Sequence, residues 1–149
     1  MPIEYSTGSI FDCGADVLVC PVNCMGVMGK GLALEFKKRW PWIESAYKGA
    51  CKRAVLLPGD VAEFSQLNDK DVWMVATKDH WRNPTRLDWV NTGLQNLRRC
   101  VLVNEPVIAI PALGCGLGGL DWADVKPLIE KHFADWPGRV IVFPPKGDG

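Results

Sequence analysis

The sequence predicts an α/β fold with helices on both faces of a central sheet. Short apolar runs of the kind that buried strands produce recur at 17–20, 72–77, 107–110 and 140–143. Between these runs lie amphipathic segments whose apolar residues have helical spacing. Because the two kinds of segment alternate, helices are expected to cover both faces of the sheet. The 149 residues suffice for one such domain, over 1–149.

The first half of the chain begins with a short strand at 3–5 and a turn at 6–8. The buried strand at 17–20 leads into a glycine-rich loop, and the residues from Gly31 to Arg39 predict an amphipathic helix. Trp40-Pro41-Trp42 breaks this helix, because proline disfavours helix at the preceding residue but suits a first turn. A second helix is expected over 43–54.

The second half begins with a turn signal at 57–60 and two strands, at 61–67 and 72–77, whose hairpin spacing predicts antiparallel pairing. Thr85 and Asp88 have the spacing of a capping box, and apolar residues at 87, 90, 94, 97 and 101 predict a long helix. The strand at 107–110, a second glycine loop at 114–119, a helix from the N-cap Asp121 through Phe133 and the strand at 140–143 complete the chain.

Composition and charge argue against several function classes. The 48% apolar and 23% charged residues are ordinary for a globular protein, and a formal net charge of zero does not indicate a molecule that binds polyanions over its whole surface. Between Met28 and Arg53, seven Lys or Arg stand against two Glu, which fits either a local basic face or a solvated helix face.

Metal, cofactor and membrane association are not expected. The six cysteines form no CxxC pair, the two histidines lack ligand spacing, and the cysteines are interpreted as reduced core residues of an intracellular protein. No apolar run approaches the roughly 18 residues of a membrane span, and the N-terminus carries no apolar signal segment. We therefore expect a cytoplasmic protein.

Two glycine-rich loops, at 26–31 and 114–119, each follow a buried strand and precede a helix. Such a junction offers backbone N–H groups and a helix N-terminus to an anion, most often phosphate, although many glycine-rich turns bind nothing. In open α/β sheets the ligand crevice lies beyond the carboxyl ends of the strands, so the two loops can close over one ligand. Together they predict a phosphate-binding site.

The loops do not match the common nucleotide motifs. The first loop lacks the Ser or Thr that follows Gly-Lys in a Walker motif and would ligate magnesium. The second contains Gly114-x-Gly116-x-x-Gly119, but only one short βαβ unit follows it, too little for a dinucleotide site.

Five motifs resemble those of a macrodomain in their order and spacing. They are Gly8 to Phe11, Ala15 to Val19, Pro21-Val22-Asn23, Met28 to Ala33, and Pro111 to Leu120. The match spans nearly the whole chain and is strongest to the branch that holds the DarG antitoxins and the terminal ADP-ribose protein glycohydrolase, DarG in particular. The resemblance implies a three-layer α/β/α sandwich around a mixed, roughly six-stranded sheet that binds ADP-ribose in its crest.

The resemblance also implies roles for individual residues. Ser9 and Ile10 match the turn that meets adenine. Asn23 matches the side chain that faces the distal ribose, where an amide can both donate and accept. The first loop contributes Gly29, Lys30 and Gly31. The second loop, whose N–H groups wrap the diphosphate, contributes Leu113, Gly114, Cys115, Gly116, Leu117 and Gly118. Thr77 and Lys78 match a strand end near the anomeric carbon of the distal ribose.

Lys78 is the residue predicted to carry chemistry. Without the resemblance it would be interpreted as a solvated lysine opening a loop. With it, the ammonium could stabilise a departing group, or a lysine of lowered pKa could act as base or nucleophile. Gly118 stands where the protein-directed glycohydrolase has an aspartate, whereas DarG-type members share the glycine and act on ADP-ribose attached to thymine in single-stranded DNA.

The resemblance therefore implies an enzyme that removes ADP-ribose from DNA. The alternatives are hydrolysis of ADP-ribosyl-glutamate esters or O-acyl-ADP-ribose, and a non-catalytic ADP-ribose reader. His80, Trp81 and Arg82 place an aromatic among cations beside Lys78, which suits either a stacked DNA base or a packed Trp among surface charges. ADP-ribosylated single-stranded DNA and a DarT-like ADP-ribosyltransferase toxin are the expected partners of a monomer.

Overall fold

The computed structural model describes residues 3–54, 56–66, 69–100 and 106–145. The strands within this part of the chain are β1 (Ile3–Tyr5), β2 (Val17–Asn23), β3 (Val61–Phe64), β4 (Asp71–Lys78), β5 (Ile108–Pro111) and β6 (Val140–Phe143). The helices are α1 (Gly31–Arg39), α2 (Trp42–Ala54), α3 (Leu87–Arg99) and α4 (Trp122–Phe133), and a single 3₁₀ turn covers Ile10–Asp12.

The strands form one mixed sheet in the order β1-β6-β5-β2-β4-β3. Its recorded pairs are parallel except β3 with β4, so the predicted hairpin is confirmed. Leu18 of β2 and the buried residues of α1 and α2 form one apolar cluster, whereas Val19 and the buried residues of α3 and α4 form a second. Since neighbouring residues of a strand point to opposite faces, the helices cover both faces. The three-layer sandwich is confirmed.

The sheet has its topological switch point between β2 and β5. The chain leaves β2 for α1 on one face and leaves β5 for α4 on the other, so the two loops diverge. Pairing of β2 with β5 covers Val17 and Leu18, whereas pairing with β4 continues to Asn23. Pro21, which has no N–H to donate, lies where pairing with β5 has ended. A crevice at the carboxyl ends of these strands follows from the topology.

One sequence expectation about a helix start needs correction, and a second is confirmed in its position. Arg86, not Thr85, is the N-cap of α3, and it makes no side-chain capping bond. The N–H of Thr85 instead donates to the Gly118 carbonyl at 2.9 Å, so a tertiary contact displaces the expected capping box. Asp121 does occupy the N-cap position of α4, again without a side-chain capping bond. The expected strand residue Leu67 and helix residue Val101 lie outside the described residues.

No described helix has both the length and the apolar character needed to span a membrane. No disulfide links the six cysteines, all of which lie in the described part of the chain. Cys20 is fully buried, but the other five are only partly so, because they lie at strand ends, loops and helix margins. The expectation that the cysteines are core residues therefore holds for Cys20 alone.

Candidate functional site

A cavity of about 1260 Å³ opens at the carboxyl ends of β2, β4, β5 and β6, where both glycine loops meet. Its size and its mixture of apolar walls with backbone polar groups are typical of a nucleotide-sized ligand. Most residues predicted for the site line it, namely Ser9, Ile10, Asn23, Gly29, Lys30, Gly31, Thr77, Lys78, Trp81, Gly114, Cys115, Gly116, Leu117 and Gly118.

Three predicted residues do not line the cavity. Leu113 is fully buried, where its side chain joins the cluster under α3 and α4 and supports the loop from below. His80 and Arg82 flank Trp81 outside the cavity wall. Among the described residues, no group of three or more His, Cys, Asp or Glu is placed to hold a metal ion.

Asn23, the last residue of β2, organises the first loop. Its Oδ1 accepts from the N–H of Met25 at 2.9 Å and of Val27 at 3.4 Å, and its Nδ2 donates to the Val27 carbonyl at 2.9 Å. The buried Tyr47 hydroxyl donates to the Asn23 carbonyl, lies 2.9 Å from Oδ1 and accepts from the Gly26 N–H at 3.2 Å. Burial strongly raises the pKa of Tyr47, so the hydroxyl stays protonated and can donate. The amide expected to face a ribose therefore also holds the loop.

The second loop turns tightly on Gly114, whose φ of 75° lies in the region that favours glycine. A Cβ on Gly118 would lie 2.3 Å from Thr85 Oγ1 and 2.5 Å from the Gly114 carbonyl oxygen, distances that no real Cβ tolerates. Gly118 is thus a glycine for steric reasons. Across the cavity, Leu117 Cδ1 lies 3.4 Å from where a Cβ on Gly31 would be, so the loops approach each other at this point.

Lys78 ends β4 at a register shift. Val22 pairs with Ala76 but Asn23 pairs with Lys78, so Thr77 is the extra residue and Lys78 comes level with Asn23. The Lys78 Nζ donates to the Trp81 carbonyl at 3.4 Å, which closes the loop over the ammonium. Partial burial removes water from the ammonium and lowers the pKa of Lys78. The arrangement places a cation of lowered pKa at one end of the cavity.

Trp81 presents an exposed aromatic surface beside Lys78. Its side chain is 42% exposed, the His80 ring stacks on it at 5.3 Å between centroids, and the Arg82 guanidinium lies 4.6 Å from its ring centroid. The Asp79 carboxylate accepts from the His80 N–H at 2.7 Å and from Asn83 Nδ2 at 3.2 Å, which fixes the loop. The hydrogen bond from Asn83 lowers the pKa of Asp79. Trp81 thus lines the cavity while part of its ring remains exposed to solvent.

Ser9 has a local partner. Its Oγ accepts from the Phe11 N–H at 3.2 Å and caps the 3₁₀ turn Ile10–Asp12. A hydroxyl oxygen has a second lone pair, so this bond leaves it able to accept another donor.

Several lining residues were missed by sequence reasoning. They are Ser6, Thr7, Val27, Glu35 of α1, Thr85, and Phe143, Pro144 and Pro145 at and after the end of β6. The rule that ligands lie beyond the carboxyl ends of strands could have found Phe143, because β6 is parallel to β5. The spacing between Thr85 and Asp88 drew attention to Thr85, but this spacing was interpreted as a helix cap.

Comparisons with known proteins agree with this geometry. A family model described as Macro domain matches residues 19–129. The chain is 40% identical over 150 residues to a DNA ADP-ribosyl glycohydrolase of Mycobacterium tuberculosis, a match that covers 97% of this chain and 43% of that protein. The chain therefore spans less than half the length of this curated relative.

Solved structures give the same grouping. The macrodomain of Mycobacterium tuberculosis DarG superposes with a TM-score of 0.90 and 38% identity, covering 97% of this chain and 98% of that one. Thermosipho africanus DarTG in complex with ADP-ribose superposes with a TM-score of 0.92 and 28% identity, covering 99% of this chain and 42% of that one.

Proposed function

Because the chain belongs to the Macro domain family, with DarG macrodomains among its relatives, we propose that it binds ADP-ribose and removes it from thymidine-linked ADP-ribose in DNA. The observation that carries this proposal is the position of Lys78, which is the register partner of Asn23 and lines the same cavity as the two loops suited to a diphosphate. The relative from Mycobacterium tuberculosis is named a DNA ADP-ribosyl glycohydrolase, and a DarTG relative was solved with ADP-ribose.

The reaction asks little of the protein beyond a well-placed cation. The bond between the anomeric carbon of the distal ribose and thymine N3 breaks, and its electron pair leaves with N3 and spreads over the flanking carbonyls. Water supplies the oxygen that joins the anomeric carbon and the proton that neutralises the base. An ammonium in a partly dehydrated site stabilises the charge that develops on the base. Lys78 supplies such an ammonium, and the reaction does not require a pair of carboxylates.

Trp81 extends the proposed substrate beyond the modified thymidine. A single strand that carries ADP-ribose must leave the cavity at its mouth, where Trp81 is exposed. Base stacking on an aromatic side chain tolerates any base, and Arg82 adds a cation for the neighbouring phosphate. We assign Trp81 and Arg82 to contact with DNA, and His80 to holding the Trp81 ring.

Ester substrates are the second candidate class. A protein-directed enzyme of this branch would be expected to have an aspartate at the position of Gly118, but a Cβ there collides with Thr85 and the Gly114 carbonyl. This loop is therefore poorly suited to a carboxylate, which favours thymidine-linked ADP-ribose over ADP-ribosyl-glutamate or O-acyl-ADP-ribose. A non-catalytic reader would need the same cavity but would not require a partly dehydrated lysine at position 78.

A DarT-like ADP-ribosyltransferase toxin is the proposed biological partner, in keeping with the DarTG relative. We further propose that residues 1–149 form one macrodomain, that this domain is a monomer, and that it acts in the cytoplasm without a metal or other cofactor.

One assay tests the proposed activity. Wild type, Lys78→Ala and the control Lys131→Ala are incubated with an oligonucleotide that carries ADP-ribosylated thymidine and, separately, with a protein that carries ADP-ribosyl-glutamate. Lys131 is an exposed lysine of α4 that does not line the cavity. We expect wild type and Lys131→Ala to release ADP-ribose from DNA and Lys78→Ala to lose this activity. Equal release by wild type and Lys78→Ala would refute the assignment, and tight binding without release from either substrate would indicate a reader.

A further inference from the structure

Thr85 carries a buried hydroxyl that the proposed reaction does not use. The residue is 4% exposed and lines the cavity, and its Oγ1 has no hydrogen-bond partner in the part of the chain that the structure describes. Buried hydroxyls almost always have a partner, and leaving one without costs stability. An orphan hydroxyl at a ligand cavity therefore needs an explanation.

The Thr85 side chain fills the inside of the second loop. Its Cγ2 lies 2.9 Å from where a Cβ on Gly114 would be, and its Oγ1 lies 2.3 Å from the corresponding point on Gly118. The Gly114 carbonyl oxygen lies 2.5 Å from that same point, so both oxygens border the space beside the Gly118 Cα. No hydrogen bond joins them.

The backbone of Thr85 already holds this loop, since its N–H donates to the Gly118 carbonyl at 2.9 Å. The Gly114 carbonyl accepts from the Leu120 N–H at 2.9 Å and keeps a second lone pair. A loop that binds a diphosphate presents its N–H groups to the ligand, and its peptide units adjust when the ligand enters. An adjustment of the segment 114–118 toward Thr85 would bring the remaining lone pair of the Gly114 carbonyl within reach of the hydroxyl.

We propose that Thr85 is a positioning residue whose hydroxyl gains its hydrogen bond, to the Gly114 carbonyl, when the second loop takes up the diphosphate of ADP-ribose. The inference rests on the proposed binding of ADP-ribose. It gives Thr85 a role in affinity that is separate from the fold. The unbonded hydroxyl lowers the stability of the free protein, and the hydrogen bond it gains stabilises the complex with ADP-ribose. It also ties the segment after Lys78 to the loop that holds the ligand.

The test compares Thr85→Val, which keeps the shape but lacks the hydroxyl, with Thr85→Ser, which keeps the hydroxyl. Thr92→Val on α3 is the control for the same chemical change at an exposed position outside the cavity. Affinity for ADP-ribose is measured by calorimetry, and thermal unfolding is measured without ligand. We expect Thr85→Val to bind about tenfold more weakly while melting at the same or a higher temperature. Thr85→Ser and Thr92→Val should bind as wild type does.

Three outcomes would overturn the inference. Wild-type affinity in Thr85→Val would mean that the bound state does not use the hydroxyl. A lower melting temperature in Thr85→Val, or weaker binding in both Thr85 variants, would mean that the side chain acts through packing or through a bond already made in the free protein. Failure of the proposed function is a different result, in which the wild type itself does not bind ADP-ribose.

Discussion

Asn23 and Lys78 are register partners across β2 and β4, one residue beyond the shift that leaves Thr77 unmatched. Hydrogen bonds to the 25–27 backbone and to Tyr47 fix Asn23. Because Lys78 pairs with Asn23 across the two strands, its position at the end of the sheet is fixed as well. The group expected to face the ribose and the group expected to act on it are therefore held by one pair of strands. Hydrogen bonds around Asn23 should consequently matter for both stability and activity.

Tyr47→Phe should loosen the first loop without disturbing the core, because the ring is fully buried and keeps its shape. The change removes the bonds to Asn23 and leaves the Gly26 N–H without its acceptor. We expect a loss of about 1–3 kcal/mol in the free energy of unfolding, measured in urea, together with weaker binding of ADP-ribose. Tyr5→Phe, which removes a hydroxyl exposed at the surface, is the matched control. Unchanged stability in Tyr47→Phe would show that the hydroxyl does not support the loop.

The pH dependence of turnover should reveal the charge state in which Lys78 acts. Burial lowers the pKa of Lys78, so the folded protein loses this proton below 10.5, the ordinary lysine value. If the ammonium stabilises the departing thymine, kcat falls as pH rises through that lowered pKa. Lys78→Arg, which stays charged, should keep part of the activity and lose the alkaline decline. A rate that rises instead with pH would assign Lys78 the role of base or nucleophile.

The same shift makes a prediction about stability, with the opposite dependence on pH. Between the lowered pKa and 10.5, the unfolded chain holds a proton at Lys78 that the folded chain has lost, so raising the pH favours the folded state. Lys78→Met lacks this contribution, so the difference in unfolding free energy between wild type and Lys78→Met should shift in favour of wild type as the pH rises, in denaturant titrations carried out across that alkaline range. A constant difference would show that Lys78 titrates normally.

Gly118→Ala should damage the second loop even though it adds one methyl group. The new Cβ would meet Thr85 Oγ1 and the Gly114 carbonyl oxygen at 2.3 and 2.5 Å, and the backbone cannot move aside cheaply. We expect a loss of about 1–3 kcal/mol in unfolding free energy and a marked loss of ADP-ribose affinity. Gly116→Ala lies two residues away in open space and should unfold as wild type does. Gly118→Asp should likewise fail to gain activity on ADP-ribosyl-glutamate.

Trp81→Ala should separate binding of DNA from binding of ADP-ribose. Stacking of a base on an aromatic side chain contributes about 1–3 kcal/mol, so affinity for an ADP-ribosylated oligonucleotide should drop by roughly tenfold or more. Affinity for free ADP-ribose should change little, and Trp81→Phe should restore most of the loss. Trp42→Ala is the matched control, because Trp42 has a similar exposure but lies outside the cavity. Equal loss for both ligands in Trp81→Ala would place the ring inside the ADP-ribose site.

Much of the fold could be predicted from the sequence because local patterns determine it. Nearby residues were enough to predict the buried strands, the break at Trp40-Pro41 and the hairpin of β3 and β4. The strand order was not, because it depends on contacts between segments far apart in the chain. Thr85 shows the same limit at one residue: its spacing to Asp88 favoured a helix cap, but a hydrogen bond to Gly118, 33 positions away, decided its conformation.

Part of the candidate site could also be predicted from the sequence. Family motifs identified the two loops and Lys78, which the structure brings to one cavity. They did not reveal that the Asn23 amide bonds to its own loop, nor that Ser9 caps a turn. These are hydrogen bonds between a side chain and the backbone, and the family motifs do not specify them.

The location of Lys78 on β4, apart from both glycine loops, bears on how such a protein could change its substrate in evolution. The loops after β2 and β5 would hold the ligand, whereas the segment from Lys78 to Arg86 would carry the proposed reactive group and the proposed contact surface for whatever is attached to the ribose. New linkages could thus be acquired by exchanging that single segment within an unchanged framework. Thr85 limits the exchange, since any replacement must still fit against Gly114 and Gly118. Variation should accordingly concentrate at positions 79–84 and stop at Thr85.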